Sequence, residues 1–308
     1  IFMKVLVATE KPFAKVAVEG IKQIVENAGF EMALLEKYTD VNEFYAAVAD
    51  ADALIVRSDQ VTKEVVDHAK NLKIVVRAGA GYDNLDLPAC TAKNIVAMNT
   101  PGQNSNAVAE LALGMMVFMA RNQFNPGTGS ELLGKNVGIH AYGNIGKLVA
   151  KIAKGFGMNV YAYDPFVDAK VMGAEGITVC NTVEDLYAKC QYISLHIPAN
   201  EKTKKSIGYD LLSKMPKGGT VINTARKEVI NEEELVKVME ERADLKYASD
   251  IAAANHAELV EKFGLRVFAT PKKMGAETGE ANVNAGLASA NQIVKFLKTG
   301  DTTFQVNK

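Results

Sequence analysis

Short apolar runs alternate with helix-period stretches from the start of the chain. Lys4–Thr9 (KVLVAT) reads as a buried strand, and Ala14–Asn27 carries apolar residues at helical spacing that stop near Gly29. Ala53–Arg57 (ALIVR) and Ile74–Arg77 (IVVR) read as further strands. Alternation of this kind predicts a parallel sheet flanked by helices. Asn99-Thr100-Pro101-Gly102 interrupts it as a loop. The next stretch, from about Ser105 to Arg121, is apolar almost all round, which predicts a helix buried between domains or at a subunit interface, its methionines serving as packing. Phe124–Ser130 (FNPGTGS) is another loop.

From Lys135 the alternation resumes. Strands are expected at Val137–His140, Val160–Asp164, Tyr192–Leu195, Thr220–Asn223 and Tyr247–Asp250, with helical stretches between them. Glu280–Leu297, rich in Ala and Asn, reads as a last helix. Two such arrays in succession predict an α/β protein of two Rossmann-like or flavodoxin-like domains with parallel sheets and a cleft between them. The expected division is residues 1–98 with 284–308 in one domain and 99–283 in the other.

Composition changes this picture little. A formal net charge of -1 gives no reason to expect a nucleic-acid or membrane partner. Cys90, Cys180 and Cys190 are odd in number and scattered, against both a disulfide framework and a metal site, and each reads as a small core residue. The opening Ile1-Phe2-Met3-Lys4 lacks a basic-then-apolar leader pattern, Met3 reads as the natural start, and no apolar stretch is long enough to span a bilayer. The cytoplasm is the expected location.

The strongest local motif is Val137-Gly138-Ile139-His140-Ala141-Tyr142-Gly143-Asn144-Ile145-Gly146, followed by a helix over Lys147–Phe156. It resembles the strand–turn–helix G-x-G-x-x-G that holds a dinucleotide. Tyr142, Gly143, Asn144, Ile145 and Gly146 would form the pyrophosphate cradle, with backbone N–H groups and the helix N-terminus facing the charge. The first glycine is replaced by Ala141, tolerable only if the turn needs no positive φ there. Asp164 ends the next strand, where an acid would bind the ribose hydroxyls. With Pro165 and Phe166 after it, rather than a cation, NAD is favoured over NADP.

Beyond this loop the chain resembles the D-2-hydroxyacid dehydrogenase family, and within it the members that oxidise D-3-phosphoglycerate. Five motifs carry the resemblance: Arg77-Ala78-Gly79-Ala80-Gly81-Tyr82-Asp83-Asn84-Leu85-Asp86, Val56-Arg57-Ser58, Asn104–Glu110, Leu195-His196-Ile197-Pro198 with Thr203, and Ile222-Asn223-Thr224-Ala225-Arg226. It implies a substrate carboxylate held by the loop of Arg77, Ala78 and Gly79. It implies a phosphate met by Arg57 and Ser58 with Arg77 as a second cation, and Asn104 at the substrate. It places His196, Ile197, Pro198, Thr203, Thr224, Ala225, Asp250 and Gly275 beside the cofactor, Asp250 near the nicotinamide amide. Arg226 matches the catalytic arginine, a fixed cation for charge that develops on the substrate carbonyl. The helix after Asn104 implies a homodimer.

The resemblance breaks at the acid–base pair. Relatives orient a histidine with a glutamate five residues after the aspartate matched by Asp250; here that position is Asn255. The Pro-His-x-Gly-Ala run is Pro271-Lys272-Lys273-Met274-Gly275-Ala276. Counting back from Gly275 puts Lys273 at the histidine, counting forward from Pro271 puts Lys272 there, and the residues after Gly275 continue to match. Lys273 is therefore read as general acid and base, with Lys272 and Arg226 expected to supply the repulsion that base action needs. His256 is an alternative. The expected reaction is NAD-dependent oxidation of D-3-phosphoglycerate to 3-phosphohydroxypyruvate (EC 1.1.1.95), opening serine biosynthesis. A glyoxylate or hydroxypyruvate reductase and a silent NAD-binding corepressor stay open as alternatives. Gln292–Lys308 leaves no room for the regulatory domain of longer relatives, so inhibition by serine is not expected.

Overall fold

The computed structural model describes residues 2–308; Ile1, the first residue of the opening segment, lies outside it. The chain divides into two compact units, one running to Asn104 and including Ala276–Lys308, the other Ser105–Gly275. These limits lie a few residues from 98/99 and 283/284 because two helices go whole to one unit each. Ser105–Ala120 packs on the helix Asn144–Gly155, and Gly279–Thr299 packs on Lys15–Asn27.

The first unit holds β1 (Lys4–Thr9), β2 (Glu31–Glu36), β3 (Ala53–Val56), β4 (Ile74–Arg77) and β5 (Val96–Asn99) in the flavodoxin-like order β2-β1-β3-β4-β5. All pairings of these strands are parallel. Side chains alternate across the sheet, as the two-residue period of a strand requires. Val7, Ile55 and Val76 join the core under the Lys15–Asn27 and Gly279–Thr299 helices, while Leu6, Leu54 and Val75 join the core of the other face. Gly20 lets the two helices close up, since a Cβ there would lie 2.4 Å from Leu287 Cδ2. On the outer edge, Gln305 bridges Met98 antiparallel and the buried Asn307 side chain accepts from Ala97 N at 2.7 Å. The tail thus covers an edge strand that would otherwise present unpaired backbone.

The second unit holds β6 (Asn136–His140), β7 (Asn159–Tyr163), β8 (Thr178–Val179), β9 (Tyr192–Leu195), β10 (Thr220–Asn223), β11 (Lys246–Ser249) and β12 (Val267–Ala269), in the order β12-β11-β10-β9-β6-β7-β8. These pairings too are parallel. The strand C-terminal ends therefore share one edge, and the loops 141–146, 196–203, 224–226 and 270–275 open from it. One face of Ser105–Ala120 is buried within its own unit: Ala109, Ala112, Leu113, Met115, Met116 and Met119 sit in the core with Val137, Ile222 and Ala248, while Leu111, Val117 and Phe118 are only partly buried.

The three cysteines are buried and free. Among the described residues no helix is long and apolar enough to cross a membrane, and no group of side chains is arranged to hold a metal ion.

Candidate active site

The nucleotide loop leaves β6 at His140. Ala141 takes φ 81°, so the turn does require the left-handed conformation that alanine resists, contrary to the condition under which the sequence reading tolerated it. Its surroundings hold it there. Ala141 N donates to Tyr163 O at 3.0 Å, and Gly146 packs against the Ala141 carbonyl so closely that a Cβ would lie 2.4 Å from that oxygen. Strain of this kind persists only where the surrounding structure over-determines it.

Tyr142 turns into the core at 2% exposure, its phenol bonded to Glu175 and its amide donating to Asp164 Oδ2 at 2.8 Å. Gly143 is exposed, with open space where a Cβ would stand. The Asn144–Gly155 helix begins there without a side-chain cap, leaving its first N–H groups for a ligand. Asp164 Oδ1 accepts from Phe166 N at 2.8 Å, which orients the carboxylate and leaves lone pairs on both oxygens.

Two buried polar atoms on the same edge have no protein partner, Thr224 Oγ1 after β10 and His196 Nδ1 after β9. Orphans of this kind, with an uncapped helix and an oriented carboxylate, fit a bound dinucleotide. Ile197 is buried behind His196, Pro198 is exposed, and the half-buried Thr203 closes the loop by donating to Pro198 O at 2.5 Å.

His196 Nε2 lies 2.8 Å from Ser194 Oγ, and His140 Nδ1 lies 3.0 Å from the Tyr187 hydroxyl. Burial, with His140 as a neighbour, pulls His196 down to about 3, and burial pulls His140 down to about 4 against the opposing pull of Asp164. Both are neutral near pH 7. Below about 6.5 the unfolded imidazoles take up protons that the folded ones refuse, so stability is full above that value and is lost as pH falls toward about 4. Denaturant titrations are expected to show a loss of roughly 2 kcal/mol for each of the two histidines, about 4 kcal/mol together, between about pH 7 and pH 5; no change over that range would contradict the burial of neutral imidazoles.

The chemistry-bearing side chains gather at the ends of β10 and β11. Asn223, fully buried, holds the turn: its side chain accepts from Ala225 N at 3.0 Å and donates to Arg226 O at 3.0 Å and to Tyr247 Oη at 3.1 Å. Arg226 extends to the surface with one nitrogen donating to Ala225 O at 2.9 Å. Lys273 Nζ donates to the same carbonyl at 3.2 Å and to Asp250 Oδ1 at 3.2 Å. The partner of Lys273 is thus a carboxylate as well as the neighbourhood of Arg226, and the repulsive setting expected from Lys272 is not what the structure builds. Lys272 is exposed, with only its carbonyl engaged, by Thr270 Oγ1 at 2.7 Å. Asn255 does not reach Lys273; its Nδ2 turns to Glu232 O at 3.4 Å and its Oδ1 has no partner. His256 opens the next helix and makes no bond to Lys273.

In the first unit, the loop after β4 is built around Arg77. Its Nε donates to Arg57 O at 3.1 Å, and its guanidinium fills the space a Gly79 side chain would need, 1.3 Å from an ideal Cβ. Gly79 also takes φ 157°, so glycine is required twice over. Burial works against the charge on Arg77, with Asp83 opposing. Arg57 donates to Lys11 O and Pro12 O, both at 3.0 Å, and lies over the Phe13 ring. Ala78 is buried, Ser58 exposed and Asn104 half-buried. Sequence reading missed the residues that hold this loop. Asp59 accepts from Arg57 N at 3.2 Å, Asn84 Nδ2 donates to Arg57 O at 3.1 Å, and Asn99 Nδ2 donates to Ala80 O at 2.7 Å.

Residues 110–271 match the family described as D-isomer specific 2-hydroxyacid dehydrogenase, NAD binding domain. A D-3-phosphoglycerate dehydrogenase of Methanocaldococcus jannaschii is 35% identical over 83% of the chain and 52% of its own length. The chain therefore spans about half the length of that relative. A hydroxypyruvate reductase of Thermotoga maritima is 33% identical over 87% of the chain and 92% of its own length. A solved NAD+-bound 3-phosphoglycerate dehydrogenase of Entamoeba histolytica is 48% identical, covers 100% of the chain and 99% of its own, and superposes with a TM-score of 0.84.

Proposed function

The chain belongs to the D-isomer-specific 2-hydroxyacid dehydrogenase family, and from that premise we propose that it oxidises D-3-phosphoglycerate to 3-phosphohydroxypyruvate with NAD. The observation that carries the reading is the meeting of Arg226 and Lys273 on the Ala225 carbonyl. One guanidinium and one ammonium are thereby held at the strand edge where the nucleotide loop also opens.

Bound NAD supplies the hydride acceptor. Arg226 orients the substrate carboxylate and the C2 oxygen, and its charge offsets the negative charge that oxygen carries in the transition state. Lys273 moves the proton. As the amine it takes the hydroxyl proton while C2–H leaves as hydride; in the reverse direction the ammonium returns it to the ketone oxygen. The oriented Asp164 carboxylate repels a 2′-phosphate and so selects NAD over NADP.

The substrate's phosphate is assigned to Arg57, whose guanidinium is braced by two carbonyls rather than consumed by a carboxylate. The test is NADH formation with D-3-phosphoglycerate against reduction of hydroxypyruvate, in wild type and Arg57→Ala. KM for phosphoglycerate is expected to rise about 10- to 100-fold in the variant, the cost of one charged contact, with hydroxypyruvate nearly unaffected. Equal effects on the two substrates would remove the phosphate role. A second reading, hydroxypyruvate or glyoxylate reduction, draws on the near full-length match to the Thermotoga reductase; wild-type preference for the unphosphorylated substrate would establish it.

A further inference from the structure

Asp250 is enclosed. It is 0% exposed, at the end of β11, with Thr270 Oγ1 on its carbonyl at 3.0 Å and its own N–H on Asn223 O at 3.2 Å. Its Oδ2 accepts from Gly275 N at 2.9 Å, and Gly275 comes so close that a Cβ there would stand 2.8 Å from that oxygen. With one oxygen so fixed, the other faces Lys273 Nζ at 3.2 Å, and this is the salt bridge the structure gives to the carboxylate. The Lys273 side chain is 42% exposed. An ammonium has three N–H donors. Two are taken, by Asp250 Oδ1 and Ala225 O, and the third is left on the half-open side of the head group.

From this geometry we infer that Asp250 positions Lys273 for proton transfer, the office that a histidine's orienting glutamate fills in other relatives and that Asn255 does not fill here. The inference rests on the reading of Lys273 as the proton-transfer group. A lysine on four flexible methylenes has no orientation of its own. Two acceptors at fixed places, one of them a buried charge, convert it into a donor with one defined free direction. The assignment does not compete with a cofactor contact at Asp250, because each carboxylate oxygen retains a second lone pair. It also explains why Gly275 must be glycine: any side chain would push Oδ2, and with it the whole carboxylate, off the lysine.

The test is a double-mutant cycle of Asp250→Asn, Lys273→Met and the two combined, read by thermal unfolding, by NAD binding calorimetry, and by kcat with NADH and 3-phosphohydroxypyruvate or hydroxypyruvate. Lys273→Met is expected to lower kcat about 100-fold or more, as loss of a general acid does. Asp250→Asn is expected to lower it about tenfold or more, and the double variant to be no slower than Lys273→Met, because a positioning residue has no role once its lysine is gone. In unfolding, Lys273→Met strands a buried carboxylate and lowers Tm, and adding Asp250→Asn restores part of that loss. Multiplicative losses of kcat in the double variant would overturn the inference, as would wild-type kcat in Asp250→Asn. If Lys273→Met itself keeps wild-type kcat, the acid–base reading fails with it, while the Tm cycle still reports whether the pair exists. Should Asp250→Asn not fold, Lys273→Arg serves: it keeps the ion pair and Tm but displaces the donor atoms, and kcat is expected to fall about tenfold or more; wild-type kcat there counts against positioning.

Discussion

Arg226→Ala is expected to lower kcat by about 100- to 1,000-fold, the magnitude seen when a preorganised donor to developing oxyanion charge is removed. The fold should not notice. The Arg226 side chain is exposed, and the turn that carries it is held through backbone atoms by the buried Asn223. Unfolding free energy is therefore expected to stay within about 0.5 kcal/mol of wild type, as for surface substitutions generally. Arg226→Lys should recover little, because an ammonium replaces a planar fork with a point charge and cannot bond carboxylate and carbonyl oxygen together. The measurement is kcat and KM in the reductive direction alongside denaturant unfolding. A kcat within about tenfold of wild type would detach Arg226 from the chemistry.

Gly146→Ala is expected to destabilise the second unit strongly. The added carbon would lie 2.4 Å from the Ala141 carbonyl oxygen and 2.9 Å from Ile139 Cγ2. The first of these is backbone, already held at φ 81°, and it cannot rotate aside. The helix must move away from β6, opening the core beneath it, at an expected cost of about 2–3 kcal/mol. Moving the helix N-terminus would also displace the uncapped amides assigned above to the pyrophosphate, and NAD affinity is expected to fall about 100-fold, given how sharply such contacts depend on placement. Gly143→Ala is the control. Its φ of -85° suits any residue and its Cβ meets open space, so stability should change by less than about 1 kcal/mol. Calorimetric NAD binding and unfolding of both variants decide the matter: wild-type behaviour in Gly146→Ala would mean the helix is not seated as described.

Strands that are buried on both faces were legible from their apolar runs, and β1, β3, β4, β6, β7, β9, β10 and β11 all begin or end within a residue or so of expectation. The strands that escaped are the edges and the short ones. β2 is EMALLE, made of good helix formers and only partly buried, and it is a strand because β1 offers it six paired residues. β5, β8 and β12 lie at the outer edges of their sheets, and β8 and β12 have only two and three residues, too few for any period to register. The nucleotide loop was visible in its glycines and in Asp164, but not the strain at Ala141, which depends on Tyr163 and Gly146 meeting it from either side.

The chain by itself determined its class: parallel α/β architecture, a dinucleotide loop followed by an acid, an arginine after an INTA run, and a lysine where related chains carry histidine. The architecture, the loop and the acid follow from hydrophobic period and local residue choice, which act over a few neighbours; the roles of the arginine and the lysine rest on the resemblance alone. Only the tertiary structure decided which lysine meets Asp250, that Arg226 and Lys273 share the Ala225 carbonyl, that Asn255 faces Glu232 instead, and that Arg77 spends its guanidinium over Gly79. All but the last, where Arg77 folds back over its own loop, are meetings of groups from different strand ends. Their distances are set by sheet register and loop closure, which no local pattern encodes.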